Sequence, residues 1–373
     1  MTSRNTLFLL WCVLAAGFAM HGERLECRGD SPAEKSVSVA AAQKRQDAAR
    51  SVEVVFGIKE VWTKGSLKFL DPEVARSNAV LPPTDTALES VNRLVLDGNK
   101  VRFEDNHPTW FLPQGRIDRT PRLRVRDDQV SVMSDLADAK RKSASRGAIY
   151  GPSVVPYAGT WTVAPLMITF RGADDQLSLV VVSKIKPAGV KVTIDGSQCD
   201  EYLQANGRSK RLVWLDPEKD HVVRRTTTLY PEGKLWSKCD IQYNRSPTGM
   251  WVTKSWVTTT FSPNGEVIAT LMADVRSVVI GNRPDEEFDT TLAPGTGVYD
   301  GRNRKQYVVE PGGAMVEVNA KGQPTGGATV PQPGARWLST LFWVLACIVG
   351  AVFSIGGWFA WRRARSPLRR QMP

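Results

Sequence analysis

The segment RLVWLDPEKDHVVRRTTTLYPEGKLWSKCDIQY, residues 211–243, decides the fold class of this chain. It contains two runs rich in β-branched and aromatic residues, 222–230 and 235–243, separated by the sequence PEG at 231–233. Strands favour such residues, and glycine and proline between two strand-like runs indicate a hairpin. The segment therefore predicts an antiparallel hairpin within a fold built mainly from strands.

Further hairpins are predicted on both sides of this segment. Residues 250–261 and 266–280 flank the turn sequence SPNG, and the Asp-Gly-Asn turn at 97–99 lies between two apolar runs. Short turns of this composition join antiparallel strands. The run LSLVVVSKI at 177–185 is apolar enough to predict another strand. Most of the chain up to about residue 320 is therefore predicted to form one antiparallel sheet.

One helix is predicted before the first strand. Residues 34–50 are alanine-rich with mixed charges, and from Val52 to Trp62 the apolar side chains alternate as in a strand. Strand 250–261 has apolar side chains on both faces, so its sheet needs cover on both sides. A closed sandwich would supply it, and so would a curved sheet with a helix inside its concave face. The residues predict a mainly β (α+β) fold with an N-terminal helix and leave both arrangements of the sheet open.

The N-terminus has the features of a signal peptide. A short basic region with Arg4 precedes an apolar stretch at 7–20, and small residues suit cleavage after Ala19. Residues 1–19 are therefore predicted as a signal peptide, followed by a polar segment at 20–33. The alternative is an uncleaved anchor, and either alternative places the main domain, residues 34–318, outside the cytoplasm.

The C-terminus predicts a single transmembrane helix. Residues 319–336 are rich in glycine and proline and predict a linker, and residues 337–361 carry no formal charge over 25 positions. A basic tail, 362–373, follows and is expected in the cytoplasm by the positive-inside rule. The residues that mark this topology are Trp337, Trp358 and Trp361 at the ends of the span and Arg362, Arg363, Arg365, Arg369 and Arg370 in the tail. We therefore expect a single-pass protein of the cell membrane with a periplasmic main domain.

Composition and charge exclude several classes of protein. With 42% hydrophobic and 23% charged residues, the chain is globular rather than disordered. The net charge is +11, but the tail carries five of these charges and Arg4 one, which leaves +5 for residues 5–361. An exported domain with so small a surplus does not predict a nucleic-acid partner.

The cysteines allow two interpretations. Cys199 and Cys239 both lie in the predicted exported domain, and a disulfide between them would close a loop of about 40 residues. The alternative is that they are separate buried thiols. The sequence leaves both alternatives open.

No arrangement of residues predicts catalysis, a metal site or a cofactor. His107 precedes a proline and His221 follows Asp220, so both are interpreted as turn or surface residues rather than ligands. The chain lacks the serine elbow and the phosphate-binding glycine loops of common enzyme classes. We therefore predict a protein that is not an enzyme.

Aromatic residues supply the candidates for ligand binding. Tryptophans in strands usually belong to a core, and the alternative is that some of them line an apolar cavity. The residues predicted to line such a cavity are Phe56, Trp62, Trp251, Trp256 and Val257.

Several short motifs resemble those of a known family. After the helix and VEVVFGIKEVW come RLVWLDPEKDHVVRR, GMWVTKSWVTTTFSPNGEV and DEEFDTTLAPGTGVYD, in that order. Over about residues 34–310 this is similar to the LolA-like outer-membrane lipoprotein carrier superfamily, in the divergent form of planctomycete-type bacterial proteins. The residues that carry the resemblance are Trp214, Leu215, Asp216, Pro217, Gly249, Trp251, Phe288, Pro294, Gly295, Thr296, Val298 and Asp300.

The resemblance implies an incomplete antiparallel barrel closed by helices, with an apolar cavity for acyl chains. With it, the expected fold is a curved antiparallel half-barrel with an N-terminal helix. The predicted membrane span distinguishes this chain from a soluble shuttle, so lipid handling or envelope sensing at the membrane is the leading hypothesis. The alternative is a non-catalytic structural or protein-interaction module displayed at the cell envelope. The C-terminus also resembles a PEP-CTERM sorting tail, although Gln332 stands where that motif has glutamate.

Overall fold

The structure is a computed structural model. It describes residues 32–66, 81–82, 84–111, 116–118, 121–127, 130–135, 146–151, 162–173, 178–206, 209–326 and 329–331. The predicted signal peptide, membrane span and basic tail lie outside the described residues, with Trp337, Trp358, Trp361 and the five tail arginines. Within the described ranges, no helix combines the length and hydropathy needed to cross a membrane.

Strands dominate the described residues, and most of them belong to one sheet. The strands are β1 (Ser51–Trp62), β2 (Thr86–Asp97), β3 (Lys100–Asp105), β4 (Thr109–Phe111), β5 (Arg116–Asp118), β6 (Arg122–Arg126), β7 (Ser131–Asp135), β8 (Arg146–Tyr150), β9 (Lys186–Ile194), β10 (Ser197–Asn206), β11 (Ser209–Asp216), β12 (Val222–Leu229), β13 (Leu235–Arg245), β14 (Trp251–Phe261), β15 (Val267–Ile280), β16 (Gly297–Asp300), β17 (Lys305–Val309), β18 (Ala314–Val318) and β19 (Val330–Pro331). Seventeen of them form a single sheet, and β4 and β5 form a separate pair.

The order of the strands in the sheet explains its shape. Strands β9 to β15 follow one another as antiparallel neighbours, β15 pairs with β1, and the sheet continues through β2, β3, β6, β7 and β8. A single parallel pair, β8 with β16, then adds β16 to β19. Residues from β1 to β3 and from β10 to β15 share one core cluster, so the sheet must curve around it. This confirms the prediction of a mainly β, curved and largely antiparallel sheet.

The predicted hairpins are confirmed, because their turns are local. β2 and β3 are joined by Gly98 and Asn99, and Gly98 has a φ of +54°, which disfavours side chains larger than glycine. The turns between β12 and β13 and between β14 and β15 likewise contain glycines with positive φ, Gly233 and Gly265. The prediction of a strand at 177–185 is wrong. Its described part, 178–185, is irregular, with a short 3-10 helix at Val182–Lys184, and is mostly buried apart from Ser183 and Lys184.

Two helices lie against the concave face. Helix α1 (Pro32–Ala48) confirms the predicted N-terminal helix, with a slightly earlier start. Helix α2 (Ala164–Arg171) was not predicted, and all eight of its residues are buried. It packs on β12 and β14 on one side and on α1 on the other. The helix inside the sheet is therefore α2, and α1 covers it.

One buried arginine holds the end of α2 in place. Arg171 is 1% exposed, and its guanidinium donates hydrogen bonds to the carbonyls of Gly98 (3.1 Å), Ala49 (3.1 Å), Arg50 (2.7 Å) and Phe170 (2.7 Å). These carbonyls belong to the link between α1 and β1, to the β2–β3 turn and to α2 itself. A single side chain therefore joins three separate parts of the chain at one end of the half-barrel.

The segment after β15 crosses the outer face of the sheet. A short 3-10 helix, Asp285–Phe288, places Phe288 against Val95 and Val125 on the outer face of the sheet. Glu287 accepts hydrogen bonds from Arg93 at 2.8 and 2.9 Å. The DEEF part of the family-like motif, residues 285–288, therefore belongs to the connection between β15 and β16 that crosses the outer face of the sheet.

The segment predicted as a linker contains a strand. Val330 and Pro331 form β19, which pairs with β18, and Val330 packs against a second, smaller core cluster. Residues 332–336 of that segment lie outside the described residues.

The two cysteines are separate in the structure. Both are free and buried: Cys239 belongs to the main core, and Cys199 to a small cluster with Ile194 and Trp214. Of the two interpretations left open by the sequence, separate thiols agree with the structure. Burial raises the pKa of the Cys199 thiol to about 11 and that of Cys239 to about 12.

Replacing Arg171 should destabilise the fold strongly. We expect Arg171→Met to lower the free energy of unfolding by at least about 3 kcal/mol, since several buried carbonyls would lose charged donors. Urea denaturation followed by circular dichroism measures this loss. Arg146→Met, at an exposed position of β8, is the control and should change stability little. Equal stability of both variants would contradict the role given to Arg171.

The thiols of Cys199 and Cys239 should resist alkylation in the folded protein. Both burial and the raised pKa values keep the reactive thiolate rare at pH 8. We expect peptide mapping after iodoacetamide treatment to find both cysteines unmodified in the native protein and modified in denaturant. A peptide pair linked by a Cys199–Cys239 disulfide would contradict this assignment.

Candidate ligand-binding site on the concave face

Two of the predicted cavity residues meet at the centre of the concave face. Phe56 on β1 and Trp256 on β14 are both buried, with ring centroids 5.5 Å apart. Phe103 on β3 stacks on Phe56 at 6.4 Å. These rings form a packed aromatic centre, so they contribute to the core where the sequence predicted the wall of a cavity.

Trp251 lies at the edge of this core because of a β-bulge. Gln242 pairs with Ser255 and Tyr243 pairs with Thr253, so Lys254 is an extra residue in β14. The extra residue changes which side chains face inward, and Trp251 packs against the same core as Trp256. Strict alternation along β14 would place these two tryptophans on opposite faces, and the bulge prevents this. The guanidinium of Arg245 lies 5.0 Å from the Trp251 ring centroid.

The other two candidates lie elsewhere. Trp62 belongs to a small cluster with Leu88 and Ala269, apart from the main core. Val257 is 41% exposed on the outer face of β14. The structure therefore brings together Phe56 and Trp256, places Trp251 at their edge, and separates Trp62 and Val257 from them. A ligand-lining role for these residues stays a prediction.

Helix α2 occupies the centre of the concave face. Thr169 Oγ1 lies 2.7 Å from Thr253 Oγ1 and 3.4 Å from the hydroxyl of Tyr243, and it donates to its own helix at Pro165 O. Burial raises the pKa of Tyr243 to about 12, so this hydroxyl stays protonated and donates to Val223 O. The middle of α2 is therefore tied to the sheet by one small polar network in an apolar surrounding.

A small pocket remains beside the N-terminal end of α2. Its free volume is about 10 Å³, enough for about one water molecule. One wall is apolar and comes from α2 and the segment after it, and the other wall comes from strands β11 to β14. The lining residues are Ala164, Pro165, Ile168, Leu179, Val180, Arg211, Thr226, Cys239 and Thr258.

Arg211 is the charged group of this pocket. It is 8% exposed and donates to Leu179 O at 2.6 Å and, weakly, to Thr228 Oγ1 at 3.4 Å. Burial lowers the pKa of its guanidinium from the usual range of arginine. The sequence interpretation missed Arg211, although it alternates with the inward-facing Val213 and Leu215, which is a signal that could have found it.

The opposite end of the concave face is closed by a second arginine. Arg45 of α1 donates hydrogen bonds to the carbonyls of Asp220 and His221, in the turn between β11 and β12. His221 is thus a turn residue, as predicted. Burial lowers the pKa of its imidazole, with the nearby Arg45 charge acting in the same direction. The N-terminal helix is therefore fixed to the sheet at the end opposite the pocket.

His107 occupies a more buried position than the sequence predicted. Its Nε2 lies 2.6 Å from Glu60 Oε2, and its Nδ1 lies 3.3 Å from Ser90 Oγ. Asn92 also donates to Ser90 Oγ, at 3.0 Å. We interpret this chain of hydrogen bonds as structural, because it joins β1, β2 and the loop after β3. In the ranges that the structure covers, no group of three or more histidine, cysteine, aspartate or glutamate side chains could hold a metal ion.

Comparison of sequences gives no relative. No protein-family model matches the chain, and no curated protein matches it either.

Comparison of structures does give similar proteins, each with 10% sequence identity. One is a putative outer membrane lipoprotein-sorting protein domain from Vibrio parahaemolyticus, with a TM-score of 0.35, covering 68% of this chain and 97% of that one. Another is a DUF1329 family protein from Desulfovibrio piger, with a TM-score of 0.36, covering 68% and 96%. A third is a LolA superfamily protein from Nitrosomonas europaea, also with a TM-score of 0.36, covering 66% and 96%. These are three proteins to which the chain is similar in structure.

Proposed function

We propose that this domain binds the apolar part of a lipid, or the acyl chain of a lipoprotein, inside its curved sheet. The observation that carries the proposal is the concave face itself. Its apolar surface runs across β1 to β3 and β10 to β15, and the described residues cover it with only two helices. Large apolar surfaces on one side of an open sheet are typical of sites that take up apolar ligands.

Binding requires α2 to move. Ligand pockets for molecules of this kind measure about 300–1,000 Å³, far more than the free volume beside α2. The eight buried residues of α2 fill the place that an acyl chain would take. Its C-terminal end is held by Arg171, whereas the residue that precedes its first turn, Val163, makes no side-chain capping bond. We therefore expect the N-terminal end of α2 to move away from the sheet first.

The predicted topology places this activity at a membrane. A span at 337–361 would tether the domain on the extracytoplasmic side, where it would handle or sense lipids locally rather than carry them across the periplasm. A tail removed after sorting would instead release the domain, and mass spectrometry of the mature C-terminus distinguishes the two.

A second candidate function is a structural or protein-interaction module. The dense packing of Phe56, Phe103 and Trp256 favours it, because these rings leave little space at the centre of the concave face. In that case α2 is a permanent part of the core, and the anchor displays a finished scaffold.

Lipid co-purification tests the proposal directly. We expect native mass spectrometry of residues 20–335, purified without detergent, to show a stoichiometric lipid adduct, with the same lipid recovered by extraction. A bare protein that also fails to bind a fluorescent fatty acid would favour the interaction module.

Fixing α2 to the sheet tests whether the helix must move. The adjacent Thr169 and Thr253 allow a disulfide in the variant T169C/T253C, made in a C27S background. We expect the oxidised form to lose at least about 90% of its fatty-acid binding and the reduced form, which is the matched control, to keep it. Equal binding by both forms would show that the ligand site does not need the space of α2.

A further inference from the structure

The concave face changes from apolar to polar towards one end. Near its centre lie Val213, Ile241 and Trp256, and towards the turns that follow β12 and β14 the inward side chains become polar. The strand register places these polar residues side by side on β10 to β14, and all of them are buried. They are Gln204, Arg211, Thr226, Thr228, Ser237 and Thr258.

The positive charge of Arg211 is not neutralised in this band. The described part of the chain gives it one carbonyl and one distant hydroxyl as acceptors, and no carboxylate. A guanidinium has five N–H donors in a planar fork that matches a carboxylate or phosphate. A buried cation without a counterion is costly, so an anion entering the pocket would be strongly favoured there.

Two further features of the pocket favour an anion. The first turn of α2 lines the pocket through Ala164 and Pro165, so the partial positive charge of a helix N-terminus lies beside it, although Pro165 itself has no N–H to donate. Across from it lies the buried Oγ1 of Thr258, which makes no hydrogen bond to nitrogen or oxygen among the described residues and contacts the Cys239 thiol. Arg211 and Thr258 thus place polar groups on the sheet side of a site whose remaining walls, Ile168 and Val180, are apolar.

We infer that the ligand is a single-chain anionic amphiphile whose carboxylate or phosphate binds Arg211, with its hydrocarbon chain directed towards the apolar centre. This inference rests on the proposed function and adds the chemical class of the ligand. It also gives the ligand an orientation, with the headgroup at Arg211 on β11 and the chain along the path that α2 vacates.

Calorimetry with matched amphiphiles tests the inference on the full chain in a maltoside detergent, with detergent blanks. The probes are decanoate, decyl phosphate and the neutral 1-decanoylglycerol, and acetate and inorganic phosphate represent the free anions. We expect the wild type to bind both anionic amphiphiles at least tenfold more tightly than the neutral one. Arg211→Met should remove this preference while leaving affinity for 1-decanoylglycerol unchanged, and Arg211→Lys should keep most of it.

The control variant is Arg225→Met. Arg225 lies on the outer face of β12, where it pairs with Asp240, so its loss should leave all affinities unchanged. Equal binding of charged and neutral amphiphiles by the wild type would overturn this inference but leave the proposed function intact. Binding of none of the three would overturn the proposed function as well. Tight binding of acetate or inorganic phosphate alone would identify a free-anion site and overturn the inference.

Thermal stability distinguishes an anchoring residue from a structural one. Because the described residues give the buried Arg211 no carboxylate partner, we expect Arg211→Met without ligand to melt at the same temperature as the wild type or above it. Decanoate should raise the melting temperature of the wild type and of Arg225→Met, but not that of Arg211→Met. A melting temperature of Arg211→Met several degrees below the wild type would make the residue structural and overturn the inference.

Discussion

The buried guanidinium of Arg171 is the interaction on which this architecture depends. An isolated helix of eight residues is unstable in water, so α2 exists only because its surroundings hold it. Its sides are held by apolar contacts with the sheet, and its last turn is held by charged hydrogen bonds to carbonyls of the α1–β1 link and the β2–β3 turn. The same bonds supply donors to the carbonyls of Ala49 and Gly98, while the carbonyl of Arg50 also accepts from Gly98 N at 2.9 Å. Helix, first strand and first hairpin are thereby fixed relative to one another.

The two ends of the concave face differ in the contacts of their buried arginines. At one end, Arg45 and Arg171 bind backbone carbonyls and attach both helices to the sheet. At the other end, Arg211 has few partners and stands beside the start of α2. Arg171 has four backbone acceptors, whereas Arg45 and Arg211 have two acceptors each, and it is Arg211 that lines the pocket. The end held by Arg45 and Arg171 stabilises the fold. The pocket end is where the proposed ligand would meet the guanidinium of Arg211.

Local patterns allowed prediction of the hairpins and the first helix, because turn chemistry and alternation act over a few residues, whereas they left open whether the sheet is a sandwich or curved. Helix α2 was missed, since a short segment that is apolar on all sides has no periodicity to separate it from a strand or a loop. The error at 177–185 has the same origin. The inward position of Trp251 could not be predicted, because it depends on one extra residue in β14, Lys254. The contact between His107 and Glu60 could not be predicted either, because the two residues are 47 positions apart and only the fold brings them together. Arg211 could have been found from alternation, but a charged residue in a core strand is usually interpreted as exposed.

The position of β1 has a consequence for how the chain acquires its structure. β1 is an early element in sequence, yet it lies in the interior of the sheet, between β2 and β15, so Val52 pairs with Ile280. Closing a contact across more than two hundred residues is slow compared with forming a hairpin. The main core cannot be completed until the chain up to residue 280 is available to pair with β1. Hairpins such as β12–β13 and β14–β15 join strands that are neighbours in sequence, so the order of folding runs from these local pairs to the sheet around β1.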